Sequence, residues 1–132
     1  MIDKSNVIKL FIPYPTISDD LAKVRHMYVV ESLQYTLFNI QTAKPNLVRQ
    51  KVINNFVVLE PGKETPVRRR SYVGMDVRLI LNGVIISDQA KTAVGLSKEI
   101  FDDIVQHSLN VKKNKNISTA ELLLLNDTVN PI

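Results

Sequence analysis

Two short segments of the sequence carry side chains suited to chemistry on a phosphate ester. Arg25 and His26 stand directly before an apolar, β-branched run at residues 27–30. A second strand-like run, at residues 37–41, ends in the polar group Gln41, Thr42 and Lys44. If the two runs are neighbouring antiparallel strands, these five side chains meet at one end of a sheet.

Cleavage of RNA without a metal ion requires only a few groups in such a place. One group takes the proton of the 2′-hydroxyl, a cation stabilises the phosphoryl oxygens, and a donor protonates the leaving oxygen. Arg25 with His26 or Thr42 can supply them. Each residue also has an ordinary structural use, because half-buried histidines and strand-end threonines are common in β proteins. The spacing alone leaves the catalytic and the structural interpretation both open.

The composition excludes several other kinds of site. The 132 residues include no cysteine, which rules out a disulfide, a thiolate metal site and a cysteine nucleophile. The two histidines, His26 and His107, are too far apart in the sequence to indicate a metal cluster. Four glycines leave little room for a phosphate-cradling loop, and no nucleotide-binding or serine-hydrolase motif occurs. We therefore expect neither a metal nor a cofactor.

The positive charge is concentrated in the middle of the chain. The formal net charge is +4, and three arginines are consecutive at Arg68, Arg69 and Arg70, whereas acidic pairs lie elsewhere. This polarity suits an anionic partner such as RNA, with the arginine run contacting phosphates. Tyr14 lies between two prolines in a loop that is hard to bury, so it is a candidate to stack on a base. A solvated loop explains the arginine run equally well.

No segment predicts export or membrane insertion. The N-terminal apolar run begins after Asp3 and stops at Pro13. The longest uncharged apolar stretch, at residues 122–125, is far shorter than the ~20 residues that a membrane span needs. We expect a cytoplasmic protein without membrane association.

The first two thirds of the chain are rich in short strand-like runs. Asn82-Gly83 is the strongest hairpin signal, because a type I′ turn needs positive φ at both central residues. About six short antiparallel strands separated by turns predict a mainly β fold, as a small barrel or a sandwich. The predicted strands are at residues 7–12, 27–30, 37–41, 56–59, 76–81 and 84–86.

Helical patterns follow in the last third. Ser97 precedes an amphipathic stripe that ends at Leu109, which predicts a helix packed on the sheet. Ser118 and Glu121 form a capping box before the apolar residues 122–125, which predicts a helix buried on the sheet or docked on another chain. We therefore divide the chain into a β domain with its packing helix, residues 1–111, and a basic linker with a short leucine-rich helix, residues 112–132.

Several of these motifs resemble the PemK/MazF superfamily of toxin ribonucleases, over residues 7–109. Residues 25–30 (RHMYVV) are similar to its Arg-Pro-Ala-Leu-Val-Leu strand, and closer to a Gram-positive branch that has His-Met-Tyr-Ile-Cys there. Residues 39–45 (NIQTAKP) are similar to the Lys-Cys-Gln-Thr-x-Lys-Pro segment of that branch. Residues 8–15 resemble its opening strand and turn, and residues 96–103 its C-terminal helix.

The resemblance implies an SH3-like barrel with a packing helix, commonly assembled as a homodimer. Members of the superfamily cleave single-stranded RNA without a metal ion, and a cognate antitoxin protein inhibits them. Arg25 matches the catalytic arginine and Thr42 the catalytic threonine or serine. On this view Arg25 stabilises phosphoryl charge and Thr42 contacts the same phosphate, with His26 assisting and with Gln41 and Lys44 binding the RNA.

A second hypothesis rests on the departures from the family pattern. His26 stands where proline normally follows the arginine, and Ala43 stands where the family has a second hydroxyl. The leucine-rich helix near the C-terminus has no counterpart in the shorter members. These features favour a non-catalytic relative that binds a protein or a nucleic acid as a phage or mobile-element regulator, whereas Arg25 and Thr42 favour the nuclease.

Overall fold

A seven-stranded sheet organises the computed structural model, which describes residues 1–12, 25–62 and 64–132. Its strands are β1 (Val7–Leu10), β2 (His26–Ser32), β3 (Thr36–Thr42), β4 (Phe56–Leu59), β5 (Ser71–Gly74), β6 (Val77–Ile80) and β8 (Lys113–Asn116). A separate two-stranded sheet pairs β7 (Val84–Ile86) with β9 (Val129–Pro131). The predicted turn at residues 13–15, with Tyr14, lies outside the described residues.

Strand β3 is the centre of the large sheet. The sheet order is β1-β2-β3-β5-β4 with antiparallel neighbours. The first half of β3 pairs with β6, its second half pairs with β5, and β8 extends the sheet by a parallel pairing with β6. The mainly β class is therefore confirmed. Over the described residues β1 and β4 do not pair with each other, so the sheet is open.

Each face of the sheet carries a buried apolar cluster, since side chains alternate between the two faces along each strand. One face, here the Tyr28 face, carries Tyr28, Val30 and Leu37 in one buried apolar cluster. The opposite face, here the Phe38 face, carries Val29 and Phe38 in a second cluster. The protein therefore has two apolar cores, one on each face of the same sheet.

Four short helical segments accompany the strands in the described part of the chain. They are α1 (Pro45–Arg49), a 3₁₀ turn (Asp88–Ala90), α2 (Lys98–Ser108) and α3 (Thr119–Leu125). The side chain of Ser97 accepts a hydrogen bond from the Ile100 amide, which confirms the predicted start of α2. Ile104 of α2 is fully buried on the Phe38 face. No helix in the described part of the chain is long and apolar enough to cross a membrane.

The hairpin predicted at Asn82-Gly83 is wrong. Gly83 has a φ of +67°, but Asn82 is not among the residues with positive φ, so the type I′ geometry is not formed. After this turn β7 leaves β6 and pairs with β9. Val84 and Ile86 bury their side chains in the Tyr28-face cluster, so burial of the strand outweighs the local turn preference.

The C-terminal segment is integrated with the rest of the chain. Residues 113–116, expected to be part of a basic linker, form strand β8 instead, since their backbone groups pair with β6. The predicted capping box is present, because the Ser118 hydroxyl accepts from the Glu121 amide at 3.3 Å. The Asn126 side chain accepts from the Phe11 amide and donates to the Phe11 carbonyl, both at 2.8 Å.

A half-buried ion pair supports the sheet on the Phe38 face. Arg78 on β6 donates to both carboxylate oxygens of Glu31 on β2, at 2.6 and 2.9 Å. Its guanidinium carbon lies 5.4 Å from the centroid of the Phe38 ring. A bidentate pair of this kind fixes geometry as well as adding energy. Arg78 therefore holds together two strands that do not pair directly.

Two leucines of α3 provide a matched test of whether the C-terminal segment unfolds together with the rest of the protein. Leu122 is 0% exposed and Leu124 is 84% exposed. We expect Leu122→Ala to lower the free energy of unfolding by about 2–5 kcal/mol, because a buried leucine leaves a cavity. Leu124→Ala should change it by less than about 0.5 kcal/mol. Urea unfolding followed by circular dichroism measures both values. Equal effects would show that the segment does not belong to the cooperative unit.

Candidate functional site

The pairing of β2 with β3 brings the two predicted segments together. Met27 lies opposite Ile40, and Tyr28 lies opposite Asn39. Antiparallel pairing in this register places the start of β2 beside the end of β3. Thr42 also pairs with Ser71 at the start of β5, so three strand ends meet there.

A cleft of about 860 Å³ opens at this end of the sheet. All five side chains that the sequence grouped line it, and Arg69 from the arginine run joins them. The predicted residues in its lining are Arg25, His26, Gln41, Thr42, Lys44 and Arg69. We call this the cationic cleft.

The charge of the cationic cleft is one-sided. Lys9, Arg25, Lys44 and Arg69 contribute four cationic side chains, and all four residues are exposed. No carboxylate occurs among the lining residues that the structure describes. Clustered cations of this kind raise the local concentration of anions and contact phosphate groups. The cleft is therefore suited to a polyanion.

Arg25 is oriented by an aromatic ring. Its guanidinium carbon lies 5.7 Å from the centroid of the Phe11 ring, which is within the range of a cation–π contact. The side-chain amide of Asn126 hydrogen-bonds to both the backbone N–H and the backbone carbonyl of Phe11. Asn126 of the C-terminal segment thus holds the residue whose ring contacts Arg25.

Alternation along the strands divides the predicted site residues between the two faces. Ile40 belongs to the Phe38-face cluster, so Thr42 shares that face and Gln41 lies on the other. His26 shares the Tyr28 face, because it stands two residues before Tyr28 in β2. His26 and Gln41 accordingly border a second pocket on the Tyr28 face as well as the cationic cleft.

Burial changes the acidity of two residues near the strand end. Desolvation lowers the pKa of His26 below its ordinary value of 6.5, so the imidazole is neutral at pH 7. A neutral imidazole can accept a proton, as a general base must. Desolvation also raises the pKa of Tyr28, which keeps the phenol protonated.

Two other predicted RNA contacts, Arg68 and Arg70, are described by the structure and do not line this cleft. Arg70 pairs with Glu60 at 2.8 Å, and both side chains are largely exposed. Arg68 is exposed, and among the described residues it does not line the cationic cleft. Tyr14 falls outside the described residues, so its predicted role in stacking has no structural description.

Two polar residues of the cleft, Lys9 and Ser71, were not predicted from the sequence. Lys9 lies on β1, which pairs with β2, and its partner in the register is Met27. Ser71 is buried, and its hydroxyl donates to the Arg69 carbonyl at 2.8 Å, which shapes the backbone beside the cleft. Lys9 is the one polar residue in the apolar run at residues 7–10, and this pattern could have indicated its exposure. Ser71 directly follows the arginine run, and no comparable pattern marks it.

The described residues contain no group of three histidine or acidic side chains arranged to hold a metal ion. Comparison of the chain with protein-family models, with curated proteins and with solved structures finds no match. The resemblance to the PemK/MazF superfamily therefore stays a prediction that rests on the motif residues.

The acidity of His26 can be measured directly by NMR. We expect its ring Hε1 signal, assigned by its loss in His26→Gln, to titrate with a midpoint below 6.5. Because the unfolded chain then binds this proton more readily than the folded chain, acidification through this range should destabilise the wild type more than His26→Gln. A midpoint at or above 6.5 would contradict the burial of the ring.

Proposed function

We propose that this protein is an endoribonuclease that cleaves single-stranded RNA without a metal ion, as the PemK/MazF toxins do. The single observation that carries the proposal is the presence of Arg25 and Thr42 in one cationic cleft. The sequence motifs predicted this pair from two separate segments of the chain. The cleft adds further cations beside the pair, and these suit the neighbouring phosphates of a polymer.

In the proposed reaction the RNA phosphate lies between Arg25 and Thr42. The 2′-oxygen attacks the phosphorus, the bond from phosphorus to the 5′-oxygen breaks, and the products are a 2′,3′-cyclic phosphate and a 5′-hydroxyl. Arg25 stabilises the charge on the phosphoryl oxygens, and Thr42 donates a hydrogen bond to one of them. His26 borders the cleft in its neutral form, so it accepts the 2′-proton and later releases it to solvent, and the leaving 5′-oxygen takes a proton from a solvent water molecule.

The proposal extends to properties that the resembled family shares. These are an SH3-like barrel, assembly as a homodimer, inhibition by an antitoxin protein and location in the cytoplasm. The open, mainly β sheet with a packed C-terminal helix supports the barrel only at the level of fold class.

One observation favours a second function, in which the cleft binds RNA and does not cleave it. Alternation places His26 on the Tyr28 face, whereas Thr42 lies on the Phe38 face, so the base is separated from the pair that holds the phosphate. The leucine-rich helix gives little support to a protein-binding regulator. Leu122 is buried in this chain's own core, and Leu124 is the strongly exposed leucine of that helix.

Cleavage assays with purified protein in EDTA test the proposed nuclease. We expect wild-type protein to cut single-stranded RNA, and Arg25→Ala to cut it about 10²–10³ times more slowly, because one charge-stabilising donor is lost. Arg70→Ala is the matched control, since Arg70 is exposed and pairs with Glu60. Electrophoresis of a labelled RNA gives the rates, and circular dichroism checks the fold of each variant.

The outcomes of this assay separate the two functions. Cleavage that is lost in Arg25→Ala and kept in Arg70→Ala supports the nuclease. If neither wild type nor variant cuts while the wild type binds RNA, the second function stands instead. Cleavage that persists unchanged in Arg25→Ala overturns the assignment of the site.

Neighbouring arginines provide a test of phosphate contact in either function. Arg69 lines the cationic cleft and Arg68 does not, within the described residues. We expect Arg69→Ala to weaken RNA binding and to reduce the slope of log affinity against log salt by about 1, whereas Arg68→Ala should leave the slope unchanged. Fluorescence anisotropy over a salt series measures both. Equal slopes for the two variants would place the phosphates elsewhere.

A further inference from the structure

A second pocket of about 340 Å³ lies on the Tyr28 face of the sheet. Tyr28, Ile53 and Leu79 line it, and all three are buried. The polar side chains of the lining are the amides of Asn39 and Gln41, the imidazole of His26 and the carboxylate of Asp76, which already accepts hydrogen bonds from two backbone amides. Its volume is at the small end of the ~300–1,000 Å³ typical of ligand pockets, so it suits one planar ring system rather than a large ligand.

The pocket adjoins the cationic cleft. His26, Ile40 and Gln41 line both spaces, so only the ends of β2 and β3 separate them. A chain molecule whose phosphate lies in the cleft can therefore place the adjoining group in the pocket. This arrangement favours a nucleotide over a ligand that has only an apolar or only an anionic part.

The amides in the pocket are available to a ligand. Within the described part of the chain, neither the Asn39 nor the Gln41 side chain makes a hydrogen bond to another residue. A partly buried amide is stabilised by a ligand that offers a donor and an acceptor side by side. Gly74 lies against Asn39: a Cβ at this position would stand 2.4 Å from the Asn39 Oδ1 atom. Because Gly74 has no side chain, the Asn39 amide can occupy this position in the pocket.

Two aromatic rings lie beside the pocket on the same face of the sheet. Phe56 and Tyr72 have ring centroids 4.8 Å apart and planes tilted by 52°. Tyr72 pairs with Gln41 in the register, and Phe56 pairs with Gly74, so the rings stand next to the pocket. Both residues are half-buried. Exposed ring faces on a sheet are a common platform for the stacking of unpaired bases.

We infer that this pocket binds one nucleobase of a single-stranded RNA, whose edge Asn39 and Gln41 recognise by hydrogen bonds. Side-chain amides pair best with adenine among the bases, through its adjacent donor and acceptor, so adenine is the expected base. The inference deepens the proposed function and rests on it for the position of the phosphate in the cleft. On this inference the cleft binds the phosphate, and the pocket determines which base is preferred.

Binding of 2′-O-methyl oligonucleotides tests the inference without any cleavage, because they lack the attacking 2′-hydroxyl. We expect wild-type protein to bind oligo(A) roughly fivefold or more tightly than oligo(U) or oligo(C). Asn39→Asp removes the amide donor, and Gly74→Ala displaces the amide, so both should abolish the preference. Asn130→Asp, an exposed position on β9, is the matched control for the added charge and should keep it. Fluorescence anisotropy measures the affinities.

The results distinguish this inference from the proposed function. Equal affinities for the three oligonucleotides, or a preference that Asn39→Asp leaves intact, overturn the base pocket even if ordinary RNA is still cleaved through Arg25. A preference that depends on Asn39 supports the pocket even if no RNA is cleaved. Binding of none of the three by protein that cleaves ordinary RNA also overturns the inference, and circular dichroism establishes that each variant is folded.

Discussion

The register between β2 and β3 is the constraint on which the rest of the structure depends. It sets Met27 opposite Ile40, and so determines which side chains share a face and which strand ends meet. A slip of one residue would turn the apolar side chains of one face toward the other and separate Arg25 from Thr42. The burial of both faces makes such a slip costly. The same apolar packing that stabilises the fold therefore holds the cationic cleft together.

The candidate site is built where this packing ends. Beyond Met27 and Ile40 the side chains become polar and exposed, and cations accumulate without a nearby carboxylate in the described lining. Like charges that are crowded together destabilise a fold slightly, and a polyanion relieves that repulsion. At the other end of β2 the bidentate pair of Arg78 and Glu31 links β2 to β6. The candidate site and this ion pair thus lie at opposite ends of β2.

Much of the fold could be predicted from local patterns, and the errors have physical causes. The strand at residues 56–59 and the helix after Ser97 are present, because their apolar periodicity and capping are local properties. β8 was missed, since all four of its side chains are exposed and only its backbone pairing defines it. The hairpin at Asn82-Gly83 was wrong because burial of the following strand depended on a segment some 45 residues away, β9.

The sequence by itself determined which residue types are available to the candidate site: a cysteine-free, basic chain with an arginine, a histidine and a threonine at the ends of apolar runs. Those are properties of residue type and spacing, and they do not require knowledge of the fold. Only the tertiary structure decided that Lys9 and Arg69 join that group and that His26 and Gln41 border both sides of the sheet. Strand pairing brings distant residues together, and the pleat then sorts neighbours onto opposite faces, so the final grouping depends on a register that no single segment encodes.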